Sequence, residues 1–366
     1  MSETGNHKAL PPVWLIRFIS AIRIFLLDIT KRMFPGNVVL YEQFQNFWLL
    51  QALYVAAQLN IAEILRNGPK PIDELAQLTN THKDSLYRLM RALASQGIFR
   101  EKPDATFRLS TMARALMENQ GSMRNVIIHH LGGVNWNVLG NLIHTIKTGE
   151  NVFVKMNGMP VYDYLNQHPS EFESFDRSMS ELSNLSLDPI LKAYNFSRVK
   201  KIADIGGGEG SFLAGILNKY PKLTGILIDQ PKALEKASLN LEKCGVLNRV
   251  DIITADFFTT IPPGAQTYIL KNVLHNWCDE DCIKILKQIC LVLPADGSVI
   301  IIEMVIPGRN KSSASKLLDL QMLATMEGGK ERTKQEFTSL LQRSGLIANR
   351  FVHTISPLCI IEARKV

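Results

Sequence analysis

The sequence predicts an α/β protein: a doubly wound domain in the C-terminal half, behind an all-helical and winged-helix N-terminal part. Three observations carry that expectation. From residue 200 onward, short apolar runs alternate with helical stretches, the order of a sheet covered by helices. The first of those runs, 202–205, meets glycines at Gly206, Gly207, Gly208 and Gly210. Glycine lets a backbone approach a ligand closely because no Cβ stands in the way. Before residue 110, helical spacing gives way to a short hairpin pattern, as in a winged helix.

In chain order, residues 1–12 are polar and end in proline, which reads as a mobile tail. Over 13–34, Leu15, Phe18, Ile19, Ile22, Phe25, Leu26, Ile29 and Met33 recur at helical spacing, with Arg17, Ser20, Asp28 and Lys31 toward the other side. Arg17 and Arg23 interrupt the apolar run, which argues against a membrane span. This helix either packs on its own protein or a partner subunit, or lies on a membrane surface as a peripheral contact. A helical pattern covers 41–65, then 71–78 and 83–95, and a hairpin runs from Gly97 to Leu109. Lys83, Arg88 and Arg91 fall on the candidate recognition helix. Three scattered cations and a wing not rich in basic residues favour a protein-interaction use and no nucleic acid. Residues 111–117, 124–146, 160–166 and 170–194 read as helices. Trp136, Val152, Phe153 and Met156 either cap an apolar pocket or pack in a core. Strands follow at 202–205, 224–228, 250–253, 267–270, 299–302, 348–353 and 358–362. The shifts of period divide the chain into a tail and amphipathic helix (1–40), a winged helix (41–115), a helical linker or cap (116–195) and a doubly wound α/β domain (196–366).

Hydrophobic residues at 46% and charged residues at 20% of 366 suit a globular enzyme. A net charge of +7 is mild for this length and does not by itself imply nucleic acid. Five cysteines, an odd number, and no leader pattern predict a reduced, cytoplasmic compartment. Cys278 and Cys282 stand one helical turn apart, but no second Cys/His pair completes a zinc site.

Detail in the glycine turn narrows the ligand. The dinucleotide pattern G-x-G-x-x-G fails, because its third glycine falls on Ser211 or Leu213. No Gly-Lys-Ser/Thr closes the loop, as a P-loop requires. Asp204 stands two residues before the first glycine, and Asp229 ends the next apolar run, where an acid suits a ribose diol. Asp-x-Gly-Gly-Gly-x-Gly with a downstream acid resembles motif I of class I S-adenosylmethionine (SAM) methyltransferases, a Rossmann-like fold. A second stretch, Leu270-Lys271-Asn272-Val273-Leu274-His275-Asn276-Trp277-Cys278-Asp279-Glu280, resembles the Leu-Lys-x-x-x-His-x-Trp-x-Asp-Glu segment of cation-independent small-molecule O-methyltransferases of the plant caffeate and hydroxyindole type. Residues 175–180, 302–305 and 328–333 match the same family in order. The likeness runs from about Tyr41 to the C-terminus, and the first forty residues look more like bacterial members.

That resemblance implies SAM as cofactor, a homodimer through the N-terminal domain and a small-molecule acceptor. It aligns His275 with the general base and Glu303 and Glu331 with the acids that flank it. It places cofactor contacts at Met179, Ser183, Gly206, Asp229, Asp256, Phe257 and Lys271, beside Asp204 and Gly208 of the glycine turn. Asp256 is expected to accept from an adenine amino group and Phe257 to pack on the ring. Lys271 either reaches the cofactor by side chain or carbonyl, or is a solvated lysine. An imidazole with an ordinary pKa of ~6.5 is largely neutral at neutral pH and able to take a hydroxyl proton. Where many plant members carry a polar Asn-Pro pair, this chain has Thr325-Met326-Glu327. Met322 and Met326 then line an acceptor site more apolar than a hydroxycinnamate needs, with Trp136 as a third wall. No metal is expected, because Asp279, Glu280 and Asp281 read as the acidic start of a helix. The rival readings are a carbon- or nitrogen-methylating enzyme of the same fold and a non-catalytic winged-helix regulator.

Overall fold

The computed structural model describes residues 13–119 and 121–366. The tail predicted over 1–12 lies outside the described residues. The chain divides into two compact units, Met1–Leu49 and Leu50–Val366.

In the first unit, Val13–Arg32 is a helix of 20 residues. Phe18, Ile19, Ile22, Phe25, Leu26 and Ile29 form the expected apolar face, and all of them stay exposed, Phe25 at 62%. Ile24 and Leu27 are exposed on its other side, so the apolar face is less pure than the sequence pattern suggested. Pro35 precedes the next helix, Gly36–Gln58, where its fixed φ suits a helix start. Tyr41, Phe44, Phe47 and Trp48 are exposed on that helix.

The second unit opens with a break at Asn60, whose φ is 54°. Asparagine tolerates this left-handed conformation, and the stretch 41–65 becomes two helices, Gly36–Gln58 and Ile61–Ile64. Helices Ile72–Thr79 and Lys83–Ser95 then lead to the hairpin Phe99–Lys102 and Thr106–Leu109. A third strand, Lys70–Pro71, pairs with it; two residues carry no period to read. The wing is more basic than expected, with Arg100, Lys102 and Arg108 all exposed.

The single helix expected over 124–146 is three: Arg124–Leu131, Gly133–Gly140 and Leu142–Thr148. Gly133 sits at φ 51°, and a Cβ on Gly132 would lie 2.3 Å from the Tyr54 ring. The chain turns there because glycine alone fits. Helix Pro169–Ala193 spans 25 residues. Its Glu181 accepts the Asn125 and Val126 amides at 2.8 and 3.1 Å, a carboxylate at a helix N-terminus.

The C-terminal sheet holds strands β1 (Lys201–Ile205), β2 (Thr224–Asp229), β3 (Val250–Thr254), β4 (Thr267–Lys271), β5 (Ser298–Ile306), β6 (Leu346–His353) and β7 (Leu358–Lys365). Their order is β3-β2-β1-β4-β5-β7-β6, and the short strand Arg332–Thr333 pairs with β5. β1 to β5 are parallel, while β7 runs antiparallel to both neighbours. The sheet is therefore mixed. Only four residues join β6 to β7, and so short a link makes a hairpin, never a parallel crossover. Helices cover both faces, and each face has its own apolar core. Runs such as Ile226, Leu227 and Ile228 are buried without alternation, as a two-sided sheet requires. The carboxyl ends of β1, β2, β4 and β5 carry Asp204, Asp229, Lys271 and Glu303.

Candidate active site

After β1 the backbone turns through Gly206 at φ 70° and Gly208 at φ 55°. Gly207 leaves no room for a side chain: a Cβ would lie 2.5 Å from Leu227 Cδ1 and 2.8 Å from Asp204 Oδ2. The Gly208 amide donates to Asp229 Oδ2 at 2.8 Å, and the Gln230 amide to Asp229 Oδ1 at 2.7 Å. Asp204 is 2% exposed, and its Oδ2 has no partner among the described residues. Burial pushes its carboxyl up to about 7; nearby Lys271 pulls the other way and Asp229 adds to the rise. Asp176, on helix Pro169–Ala193, is likewise pushed to about 7, by burial and by Glu209 of the glycine turn. Acids thus crowd the turn, and a ligand carrying net positive charge with a ribose diol, such as SAM, fits them.

Lys271 is not a solvated lysine. Its Nζ donates to Ser183 Oγ at 3.0 Å and lies 5.5 Å from the Phe212 ring centre. Burial lowers it to about 8, against Asp204 and Glu303. Met179 stands half-buried one turn before Ser183. Asp256 is exposed, and its Oδ1 accepts the Phe258 amide at 3.0 Å. Phe257 is buried with its ring 6.2 Å from that of Trp277.

His275 follows β4 on a short turn. Its Nδ1 is 2.8 Å from Glu331 Oε1 and 3.5 Å from Glu303 Oε2. Nε2 has no hydrogen-bond partner among the described residues. Glu303 is fully buried on β5, and its Oε1 accepts the amides of Val273, Leu274 and His275 at 3.0, 2.9 and 3.4 Å. Burial lowers the proton affinity of the imidazole, but Glu303 and Glu331 outweigh it and hold His275 above its ordinary value. This departs from the unperturbed imidazole expected from the sequence. Burial also raises Glu303, with His275 lowering it and Glu331 adding to the rise. Ligand atoms of the three residues lie within 4.8 Å of one another, a spacing that also suits a cation. An ion at Nδ1 would have to displace the bond to Glu331.

The sequence assigns Arg332 no role beyond its place in the 328–333 match, and Asp279 only the acidic start of a helix. Arg332 is wholly buried. Its Nη1 donates to Leu274 O at 2.9 Å, its Nη2 to Trp277 O at 2.8 Å, and its Nε to Asp279 Oδ1 at 3.0 Å. Asp279 does begin a helix, Asp279–Val292, yet its carboxylate is held by Arg332 and Lys330.

A chain of rings leads from this turn. Trp277 stacks on Tyr162 at 5.9 Å, Tyr162 meets Phe175 edge-on at 6.5 Å, and Phe175 meets His129 at 5.6 Å. The periodicity of the helical middle gave no sign of these contacts. Met322 is buried and Met326 half-buried. A Cβ on Gly329 would lie 2.5 Å from Met326 Cβ and 2.9 Å from His275 O, so Met326 sits against the histidine turn. Trp136 is half-buried on helix Gly133–Gly140, which packs on Ala314–Thr325, the helix of Met322.

Comparison with known proteins decides the family. An O-methyltransferase domain model matches residues 136–347, and an O-methyltransferase dimerisation domain model matches 41–119. The chain belongs to the O-methyltransferase family. It is 35% identical over 333 residues to phenazine O-methyltransferase PhzM of Lysobacter antibioticus, covering 91% of this chain and 97% of that one. It is 33% identical to the mitomycin biosynthesis 6-O-methyltransferase of Streptomyces lavendulae, over 88% and 92%. It is 32% identical to 8-amino-8-demethylriboflavin N,N-dimethyltransferase of Streptomyces davaonensis, over 86% and 89%. The crystal structure of LaPhzM superposes with a TM-score of 0.87 at 35% identity, covering 91% of this chain and all of that one. The structure of CalO1, at 30% identity and a TM-score of 0.80, covers 90% and 98% and holds the demethylated cofactor SAH. The family, the fold and SAM dependence expected from the sequence are borne out. The dimerisation domain supports a homodimer. No helix among the described residues is long and apolar enough to cross a membrane.

Proposed function

We propose that this methyltransferase acts on a hydroxyl of a small aromatic or apolar acceptor, with His275 as general base. One observation carries the reading: Nδ1 of His275 is bonded to the buried Glu331 at 2.8 Å with the Glu303 carboxylate 3.5 Å away, while Nε2 has no partner among the described residues. Glu331 accepts from Nδ1–H, which fixes the tautomer and leaves Nε2 as the basic nitrogen. Nε2 takes the acceptor's hydroxyl proton, and Glu303 and Glu331 stabilise the imidazolium that results. SAM, when bound, supplies an electrophilic sulfonium methyl. Gly206 and Gly208 admit the cofactor to the backbone, and Asp204 offers it an unpartnered buried oxygen. Asp229 is assigned the ribose hydroxyls, through lone pairs left over from its two amide bonds. Asp256 and Phe257 are assigned the adenine ring, and Met179, Ser183 and Lys271 further cofactor contacts. Trp136, Met322 and Met326 are assigned the acceptor wall, where indole and thioether groups offer apolar, adaptable surface. The name of the phenazine relative supports an aromatic acceptor.

His275→Ala should abolish turnover while SAM binding by calorimetry persists; undiminished turnover overturns the base assignment. A second reading has support from the N,N-dimethyltransferase relative: transfer to nitrogen. Product NMR locating the new methyl separates the two. Residues 13–34 are assigned a peripheral contact, since their exposed apolar face lies beside Arg23, Lys31 and Arg32. That composition suits a second subunit or an anionic membrane surface; liposome flotation with and without residues 1–34 distinguishes them. We assign the chain to the cytoplasm, in keeping with five cysteines that form no disulfide, and give it no nucleic-acid role.

A further inference from the structure

We propose that Arg332, neutralised by Asp279, is the positioning residue that grips the turn carrying His275. The inference rests on the assignment of His275 as base.

The turn 273–277 lies outside the sheet ladder, so its peptide groups need partners elsewhere. On the amide side, one buried oxygen, Glu303 Oε1, accepts three consecutive N–H groups. On the carbonyl side, Leu274 O and Trp277 O accept from the two ends of one guanidinium at 2.9 and 2.8 Å. The carbonyl between them, His275 O, accepts the Lys330 amide at 2.9 Å. The turn is gripped between a carboxylate on its amide side and a guanidinium on its carbonyl side, and the imidazole hangs from the middle. Asp279 Oδ1 accepts Nε at 3.0 Å and lies 2.9 Å from Nη2, which compensates the buried charge. Asp279 Oδ2 takes Lys330 Nζ at 3.0 Å.

The chemistry calls for arginine. A planar fork holds two carbonyls three residues apart at a fixed separation; a lysine ammonium is a single point charge on a flexible stem. A misplacement of one ångström at a catalytic group costs on the order of 10²-fold in rate. The grip also acts through charge. The charged groups facing the imidazole are Glu303, Glu331 and Arg332, with Asp279 and Lys330 behind Arg332 and Lys271 beyond Glu303. Burial lowers the proton affinity of His275, the glutamates raise it, and Arg332 lowers it.

Three variants separate placement from charge. Arg332→Lys keeps the charge and loses the fork. Arg332→Gln loses both, and Asp279→Asn keeps the fork but removes its counter-charge. In each, kcat and the acid limb of its pH profile are measured, with SAM affinity by calorimetry and the folded fraction by circular dichroism. Arg332→Lys should lose on the order of 10²-fold in kcat, with SAM affinity and acid limb unchanged. The acid limb should move to higher pH in Arg332→Gln and to lower pH in Asp279→Asn. A purely structural arginine would lower the folded fraction and leave both limbs in place. Coincident limbs in folded protein, or parental kcat in Arg332→Lys, overturn the proposal. If Arg332→Gln does not fold, the opposite shift of Asp279→Asn and the rate loss of Arg332→Lys still decide it. His275→Ala is run alongside. Turnover surviving there sinks the base assignment; turnover lost there, with unmoved limbs in Arg332→Gln and Asp279→Asn, sinks the grip alone.

Discussion

Glutamine at position 331 would take one negative charge from the imidazole and keep the side chain's size. Glu331 is 3% exposed, and its Oε1 stands 2.8 Å from His275 Nδ1. A hydrogen bond to a charged group is worth about 1.5–3 kcal/mol. At about 1.36 kcal/mol per decade of rate, that is roughly 10- to 150-fold in kcat. Glu303 remains, with Oε2 3.5 Å from the same nitrogen, so the loss falls toward the lower figure. The pH profile moves as well. A general base works in its neutral form. His275 is held above its ordinary 6.5, because the two glutamates outweigh burial. Activity is therefore lost as pH falls through that raised value. Glu331→Gln lowers the raised value, and the acid limb moves to lower pH. The assay is initial rate at saturating SAM with one phenolic acceptor, from about pH 5 to 9, across the range where imidazoles titrate. An acid limb that moves toward alkaline pH, or a plateau kcat equal to the parent's, refutes the reasoning.

Asp204 titrates near 7 in the fold, above its ordinary 3.8. The folded chain binds that proton more tightly than the unfolded one, so the stabilising contribution is complete below about pH 4 and lost as pH rises through 7. Asp204→Asn should therefore raise the ligand-free unfolding midpoint at pH 8, by a gain on the order of a few kcal/mol, while calorimetry shows weaker SAM binding; an unchanged midpoint contradicts this. Gly207→Ala puts a Cβ 2.5 Å from Leu227 and 2.8 Å from Asp204. It should cost about 1–3 kcal/mol in denaturant titration, and a stability equal to the parent's would show that the turn yields freely. If His275, Glu303 and Glu331 work as a base and its two acids, dialysis against EDTA leaves kcat unchanged. A loss restored by one divalent cation would reassign the cluster as a metal centre.

Elements with a strong period were legible. The seven strands of the sheet follow from apolar runs, and helix 83–95 was bounded correctly as Lys83–Ser95. Boundaries set by a single backbone conformation were not. Asn60 at φ 54° and Gly133 at φ 51° each split a stretch whose side-chain spacing continues on both sides. Periodicity sees which face a residue occupies and is blind to where the helix axis turns. The antiparallel β7 was legible in principle, since four residues cannot carry a parallel crossover. The acids around the histidine were named through their motifs, and the structure sets them against one ring nitrogen. The rise in the proton affinity of His275 was not legible, because it depends on distances across β5 and the 331 loop.

Arg332 shows where such reading stops. Beside Glu331 in the sequence, it resembles half of a surface ion pair, which contributes little. In the fold the two neighbours face different ways: Glu331 reaches the imidazole and Arg332 reaches the carbonyls behind it. A buried guanidinium is costly unless its donors are all met, and here three carbonyls, of Leu274, Trp277 and Lys330, and the Asp279 carboxylate meet them. That cost is offset by the bonds themselves, which hold Trp277 O and add a charged donor to Leu274 O, already an acceptor from the Trp277 amide at 3.2 Å. One of the two acids that raise the basicity of His275, Glu331, and the cation that fixes its position thus enter from one segment, 331–332, while Glu303 comes from β5. Any displacement of that segment must alter both properties together.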